Sequence, residues 1–369
     1  MRAPALLLAL AVPALAQTET VLVRASRIVV AADTVLENDA LLLRGGTVAY
    51  VGKEIPEAAK TGATVLDYSG KTLVPGFVVA HTHLGQAQDL AERVTAATPE
   101  LRASEGFDPF DPQLLRFARA GITTVGLAPT SGNVLAGLAC AVRCGESGTL
   151  SAEATYLKVA LTAESFDQGR HPTSLMGGAE LLRARFQACR GAHNGHQPAK
   201  ELQDVLSGAR KFAVHARTHA EISSALELCE QFSVQPVLID GTEAEKSLLR
   251  LEALKASLIL APLTLDSSPQ LLRLPALLAA RKIPFSFRAD RPAELRLAVA
   301  LALRHGLPRA AAWQALLRTP AEQCGLAEGA GALRAGMNAD FAVYDGDPLD
   351  LSSRLVAVHV GGKKLESKP

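Results

Sequence analysis

Residues 73–85 read LVPGFVVAHTHLG, an apolar run that ends on two histidines one residue apart, His81 and His83. In an extended strand, residues i and i+2 point to the same face. The two imidazoles therefore share a side and Thr82 turns away. Two imidazoles on one short, rigid segment can hold a divalent ion. The plain alternative is a pair of polar residues where a strand runs out, because His-x-His also arises by chance. What separates these readings is where the strand sits in the fold.

Working outward from this stretch, residues 76–325 alternate short apolar runs with amphipathic segments. The candidate strands are GFVVAHTH, GITTVGLAP, LACAVRCG, TYLKVAL, KFAVHAR, QPVLID, ASLILAPL and IPFSFRAD. Helix-like text lies between several of them, such as SLMGGAELLRARFQAC, AEISSALELCEQF and SPQLLRLPALLAARK. Eight strands with interleaved helices predict an α/β fold, a (β/α)8 TIM-type barrel. Residues 17–75 and 326–369 have another grammar, alternating strands joined by Gly-Gly and Ser-Gly turns. Neither piece is large enough for its own core, so the two are expected to join in one small composite β-domain built from both chain ends. In a barrel, His81 and His83 fall at the C-terminal end of the first strand, where barrel enzymes place their active sites.

The 369 residues are 48% hydrophobic and 20% charged with a net charge of +1. This is a globular composition with no polyanion-binding character, so nucleic acid is not an expected partner. Arg2, the short apolar run ALLLALAVPALA and the small residues Ala14 and Ala16 read as a signal peptide, residues 1–16, cleaved after Ala16. No later stretch is long and apolar enough to span a bilayer. The protein is thus expected to be exported, periplasmic or secreted, without a membrane span. Five cysteines cannot all pair within one chain; Cys140 and Cys144 are close enough in sequence to be candidates.

The stretch 73–85 closely resembles the metal-binding first strand of the amidohydrolase superfamily, and the resemblance covers nearly the whole chain after the leader. GKTLVPGFVVAHTH looks like the passage from the β-domain into the barrel, AGITTV like the second strand, and TPAEQCGLAEGAGALRAGMNADFAVYDGDPLD like the return. Within the superfamily the nearest group is imidazolonepropionase-like, including exported bacterial members, which HPTSLMGGAELLR resembles. The resemblance implies that His81, His83 and the fifth-strand His215 bind a metal, and that Asp290, at the end of the eighth strand, binds it and takes a proton from the attacking water. Read from the residues alone, His215 could equally be a satisfied core histidine and Asp290 the N-cap of the next helix. Two positions depart from the family pattern. The sixth strand ends in Asp240 in place of a histidine, and aspartate can also ligate zinc. Lys158 stands where two-metal members carry a carboxylated lysine, although a lone lysine on a strand is often simply solvated. Arg288 shares a strand face with Asp290 and offers a cation to an acidic substrate group, or repels a metal.

These residues imply a metal-dependent hydrolase of a non-peptide carbon–nitrogen bond in a small substrate, using one or two divalent ions, with zinc the best match to imidazole ligands. Two alternatives stand beside it: a catalytically degenerate binding barrel, and a dipeptidase-like activity.

Overall fold

The computed structural model describes residues 19–84, 90–191 and 199–366. The expected leader, residues 1–16, lies outside them.

Four strands open the described chain: β1 (Thr20–Ala31), β2 (Thr34–Arg44), β3 (Thr47–Val51) and β4 (Thr64–Pro75). The central part contributes β5 (Phe77–Thr82), β6 (Ile122–Leu127), β7 (Leu135–Leu138), β8 (Cys140–Arg143), β9 (Thr149–Ala152), β10 (Tyr156–Ala160), β11 (Lys211–Ala216), β12 (Pro236–Asp240), β13 (Ser257–Leu260) and β14 (Phe285–Phe287). The chain closes with β15 (Phe341–Tyr344), β16 (Leu355–Val360) and β17 (Lys363–Lys364). One seven-stranded sheet draws on both ends, in the order β17-β16-β15-β4-β1-β2-β3. Its β2–β3 hairpin turns on Gly45 and Gly46 at φ 55° and 82°, the left-handed pair that matches the twist of a two-residue hairpin. Asp340 ties this sheet to the central strands: its carboxylate accepts from Arg143 and from Gly361 N, and its carbonyl accepts from Gly76 N.

The central strands form two hydrogen-bonded sheets, β5-β6-β8-β9 and β7-β10-β11-β12-β13-β14. Strands β5 and β6 are parallel to each other, as are β10 through β14. The expected third parallel strand is not one. LACAVRCG holds the last residue of β7, which is antiparallel to β10, and the whole of β8, which is antiparallel to β6. Gly137 sits inside β7 at φ +114°, and a Cβ there would lie 2.5 Å from the Leu101 carbonyl oxygen. Only glycine fits such a backbone, and the antiparallel register with β10 shifts beside it.

Side chains alternate as strand geometry requires. Leu157, Val159, Phe212 and Val214 face outward into a cluster with Phe186, Leu228 and Phe232 of the helices Leu175–Arg190 and His219–Phe232. Ala80, Tyr156, Ala213, Val237, Ile239 and Ile259 form a separate inner cluster with Cys324. The helices begin where the sequence caps them: Thr218 and Glu221 form a capping box, and Ser268 accepts from Leu271 N. No described helix is long and apolar enough to cross a membrane.

All five cysteines are free thiols, Cys140 and Cys144 included. Burial pushes the Cys140 thiol up to about 12 and raises Cys144 as well. Because the thiolate is the reactive form, a disulfide reagent at pH 8 is expected to modify at most the partly exposed Cys189 in the native protein. All five should react once the chain is unfolded, and rapid modification of two or more native thiols would contradict this packing.

Candidate active site

The C-terminal ends of the parallel strands bring His81, His83, Lys158, His215, Asp240, Arg288 and Asp290 to one place, and two backbone irregularities aim them. The first is in β5. Between the pairs Val79↔Val125 and Thr82↔Leu127, three steps on β5 oppose two on β6. This is a bulge, which re-aims a side chain, and here Ala80 and His81 both turn inward. Tyr156 OH donates to the Ala80 carbonyl at 3.2 Å and so accepts from His81 Nδ1 at 2.8 Å. The His81 Nε2 lone pair is left buried without a hydrogen-bond partner.

The second irregularity is at the end of β12. By alternation with the inward Val237 and Ile239, Asp240 belongs on the outer face. It adopts φ +71° and Gly241 follows at +56°. Asp is one of the few side chains that tolerate this region. The turn swings the carboxylate back inside, where it is 4% exposed. There Oδ2 accepts from His215 Nε2 at 2.7 Å and from Arg217 Nε at 3.1 Å. Oδ1 faces Arg288 Nη1 at 3.3 Å, as an ion pair and not an aligned hydrogen bond.

Arg288 also reaches Asp290 Oδ2 at 3.3 Å, so one guanidinium bridges both carboxylates. Asp290 does not cap the following helix, whose N-cap is Arg291. Its Oδ1 instead accepts from His83 N at 3.0 Å and Thr82 Oγ1 at 3.3 Å, clamping the end of β5. Lys158 is not solvated. It is fully buried, and its Nζ donates to His83 Nε2 at 3.1 Å and to the Pro129 carbonyl. The rings of His81 and His83 meet edge to face at 4.7 Å.

Charge in this space follows from burial and crowded cations. Burial lowers Lys158 to about 7, and Arg288 pushes the same way. Burial, then Lys158, lowers His83 to about 2, and His81 falls well below its usual value for the same two reasons. Burial alone would raise Asp240, yet His215, Arg288 and Arg217 together hold it far below the usual carboxylate range. His215 is lowered because burial outweighs the help of Asp240. All three histidines are therefore neutral at pH 7, and Asp240 is ionised.

The sequence reading missed Ser131. It lies in the loop after β6, and its Oγ is 2.6 Å from His215 Nδ1. It also missed Arg217, although that residue follows His215 by two and so shares its face, a signal that strand periodicity offers. His219 starts the next helix and lies outside this cluster, with Ser247 and Ser223 as its neighbours.

No family model matches the chain. It is 24% identical to the imidazolonepropionase of Acidiphilium cryptum strain JF-5 over 378 residues, 90% of this chain and 92% of that one. The fold is similar to that of an amidohydrolase from Thermotoga maritima MSB8, at a TM-score of 0.80 and 24% identity, covering 94% of this chain and all of that one. These likenesses support an amidohydrolase-superfamily member. A 64-residue segment is also 48% identical to the N-substituted formamide deformylase of Arthrobacter pascens, but it spans only 12% of that protein.

Amidohydrolase-superfamily members generally use divalent metals, and the residues of this chain, as they are paired here, do not fit one. Among the described residues, no three His, Cys, Asp or Glu side chains converge to hold an ion. His81 Nε2 and Asp240 Oδ1 are unpartnered acceptors, but cations interleave with the remaining donors. Lys158 occupies His83 Nε2, Arg288 spans both carboxylates, and Asp240 takes up the His215 nitrogen. A divalent ion 4 Å from one guanidinium is opposed by about 8 kcal/mol at an effective dielectric of 20. The ligand set His81, His83, His215, Asp240 and Asp290 is thus assembled in space but committed to hydrogen bonds and ion pairs.

Proposed function

We propose that this amidohydrolase-superfamily protein hydrolyses a non-peptide carbon–nitrogen bond in a small acylated amine or cyclic amide, with side chains doing the work usually given to a metal-bound water. One observation carries the reading. Ionised Asp240 can only accept a hydrogen bond, so it fixes the proton of His215 on Nε2 and leaves the Nδ1 lone pair available as a base. Asp240 is then a positioning residue, and Lys158 and Arg288 supply positive charge where an anion develops. The deformylase and imidazolonepropionase names of the relatives support carbon–nitrogen chemistry.

The test is turnover of a panel of N-formyl and N-acetyl arylamides and five- and six-membered cyclic amides. The expected result is hydrolysis that survives dialysis against a chelator and falls about 10³-fold in His215→Ala. Restoration of activity by zinc alone would return the site to metal-dependent catalysis. The bridging of Asp240 and Asp290 by Arg288 favours a second reading, a binding protein without turnover; silence across the panel with tight binding of a small carboxylate would select it. The same bridge leaves Arg288 occupied, which removes the main support for a dipeptidase-like role.

Metal content gives an independent measurement. The purified protein is expected to hold less than a tenth of an equivalent of zinc, and its thermal midpoint should not move with chelator or one equivalent of added zinc. A midpoint raised in proportion to zinc would show specific binding to the native state.

A further inference from the structure

A cavity of about 300 Å³ opens at the other ends of the same strands, lined by the first residues of β11 and β13 and by the helix Thr319–Gln323. Lys211 is the first residue of β11. Strand alternation puts it on the inner face with Ala213, while Phe212 and Val214 point outward. Four strand residues span about 13 Å, so Lys211 stands well apart from His215 and the cluster described above.

The charge of this cavity is unbalanced at one residue. Lys211 Nζ, partly buried, donates to the Glu322 carbonyl, a neutral acceptor. The Glu322 carboxylate is taken by Arg318 at 2.8 Å, and Arg210 pairs with Asp204 at 3.4 Å. Among the described charged residues of the wall, only Lys211 lacks a partner of opposite sign. Burial lowers its ammonium from the ordinary value, opposed in smaller measure by Cys324 and Glu322. Other donors stand around it. Ser257 accepts from Gln323 Nε2 at 3.4 Å, which leaves its own hydroxyl hydrogen to donate, and Thr319 adds a second hydroxyl. Arg210 Nε is a buried donor without a partner. Val205, Val234, Val237 and Pro284 make the remaining wall mainly apolar. A lysine that only capped the last turn of Thr319–Gln323 would need neither the cavity nor the two hydroxyls.

We propose that this cavity binds a small monocarboxylate, with its carboxylate on Lys211 and Ser257 and its apolar body against the valines and Pro284. One unpaired ammonium matches one carboxylate, whereas a phosphate dianion would bring an uncompensated negative charge beside Glu322. At about 30 Å³ for each water-sized unit, the volume admits roughly ten non-hydrogen atoms. Barrel enzymes keep their chemistry at the opposite face, so this second site binds its ligand without turning it over. It does not depend on the hydrolase reading.

The test is calorimetric titration of the full-length protein with hexanoate, hexanamide and inorganic phosphate. Hexanoate is expected to bind one per chain with a Kd below about 1 mM. Hexanamide, of the same shape without the charge, should bind about 10-fold more weakly. Lys211→Met keeps the stem and removes the ammonium, and affinity should fall about 10- to 100-fold. Ser257→Ala leaves the ammonium in place and should lose about 5-fold. Circular dichroism checks that both variants are folded, and hexanoate should raise the Tm of the wild type more than that of Lys211→Met. A folded wild-type protein that takes up no hexanoate at about 10 mM overturns the proposal. So does equal affinity in wild type and Lys211→Met, which would place the carboxylate elsewhere, beside Arg288 for example. Tighter binding of phosphate than of hexanoate would overturn the monocarboxylate class.

Discussion

Asp240→Ala is expected to cost about 3 kcal/mol of stability, a drop in Tm of roughly 4 °C for a chain of this length, and to abolish turnover. Asp240 is the one carboxylate shared by His215, Arg217 and Arg288. Removing it leaves the mostly buried Arg288 with half its counter-charge and an imidazole proton with no acceptor. The alanine must also adopt φ +71°, which aspartate tolerates better. Asp240→Asn separates the two effects. Asparagine keeps the shape and the left-handed backbone, so the stability loss should be smaller. Its amide can donate to His215 Nε2, which moves the ring proton to Nδ1 and removes the base. Activity should then fall by about 10⁴, the scale expected when a catalytic histidine is held in the wrong tautomer. Chemical unfolding and turnover on the two variants would check this. Full activity in Asp240→Asn would show that the His215 tautomer does not matter.

The second large effect is expected at Gly126→Ala, which only replaces one hydrogen by a methyl group and touches no charged group. Gly126 lies on β6 opposite the β5 bulge. A Cβ there would stand 2.2 Å from the Ala80 carbonyl oxygen, 2.7 Å from its carbon and 3.1 Å from Cys324 Sγ. Backbone cannot swing aside as a side chain can, so β5 must move away from β6. Overpacking of this kind costs about 3 kcal/mol. The displaced segment carries Ala80, His81 and Thr82, so the Tyr156–His81 and Thr82–Asp290 hydrogen bonds should be lost as well. The measurement is a paired thermal melt and tyrosine fluorescence. An unchanged melt would mean that the bulge accommodates a methyl group, and that the glycine is not what makes room for it.

What the sequence made legible was mostly periodic. Apolar runs bounded by Gly and Pro located the parallel strands, and the chain positions of His81, His215, Asp240 and Asp290 at or beside their ends followed from that. The breaks in periodicity were hidden. Asp240 reaches the interior only through two consecutive left-handed residues, and His81 only through a bulge; neither leaves a mark beyond an Asp-Gly pair and a glycine on the neighbouring strand. LACAVRCG reads as one parallel strand because apolarity does not record direction, yet it holds the end of β7 and all of β8, both antiparallel to their neighbours. Ser131 carried no signal, since a serine in PTSGN is ordinary turn composition. The metal expectation came from the identities of the ligand-type residues. Which of them remain available depends on Lys158, Arg217 and Arg288, and cations reached through long side chains are not fixed by spacing.

The seven-stranded sheet has a consequence for synthesis. Strand β4 pairs with β1 on one side and with β15 on the other, and Tyr344 lies 269 positions beyond Pro75. At ribosomal rates of about 5–20 residues per second, β4 waits roughly 15–50 s for that neighbour. Throughout this time its backbone donors and acceptors form an open edge able to recruit strands from other nascent chains. The last thirty residues thus decide whether the first seventy stay single, and a ribosome that stalls before Phe341 releases a chain with that edge still uncovered.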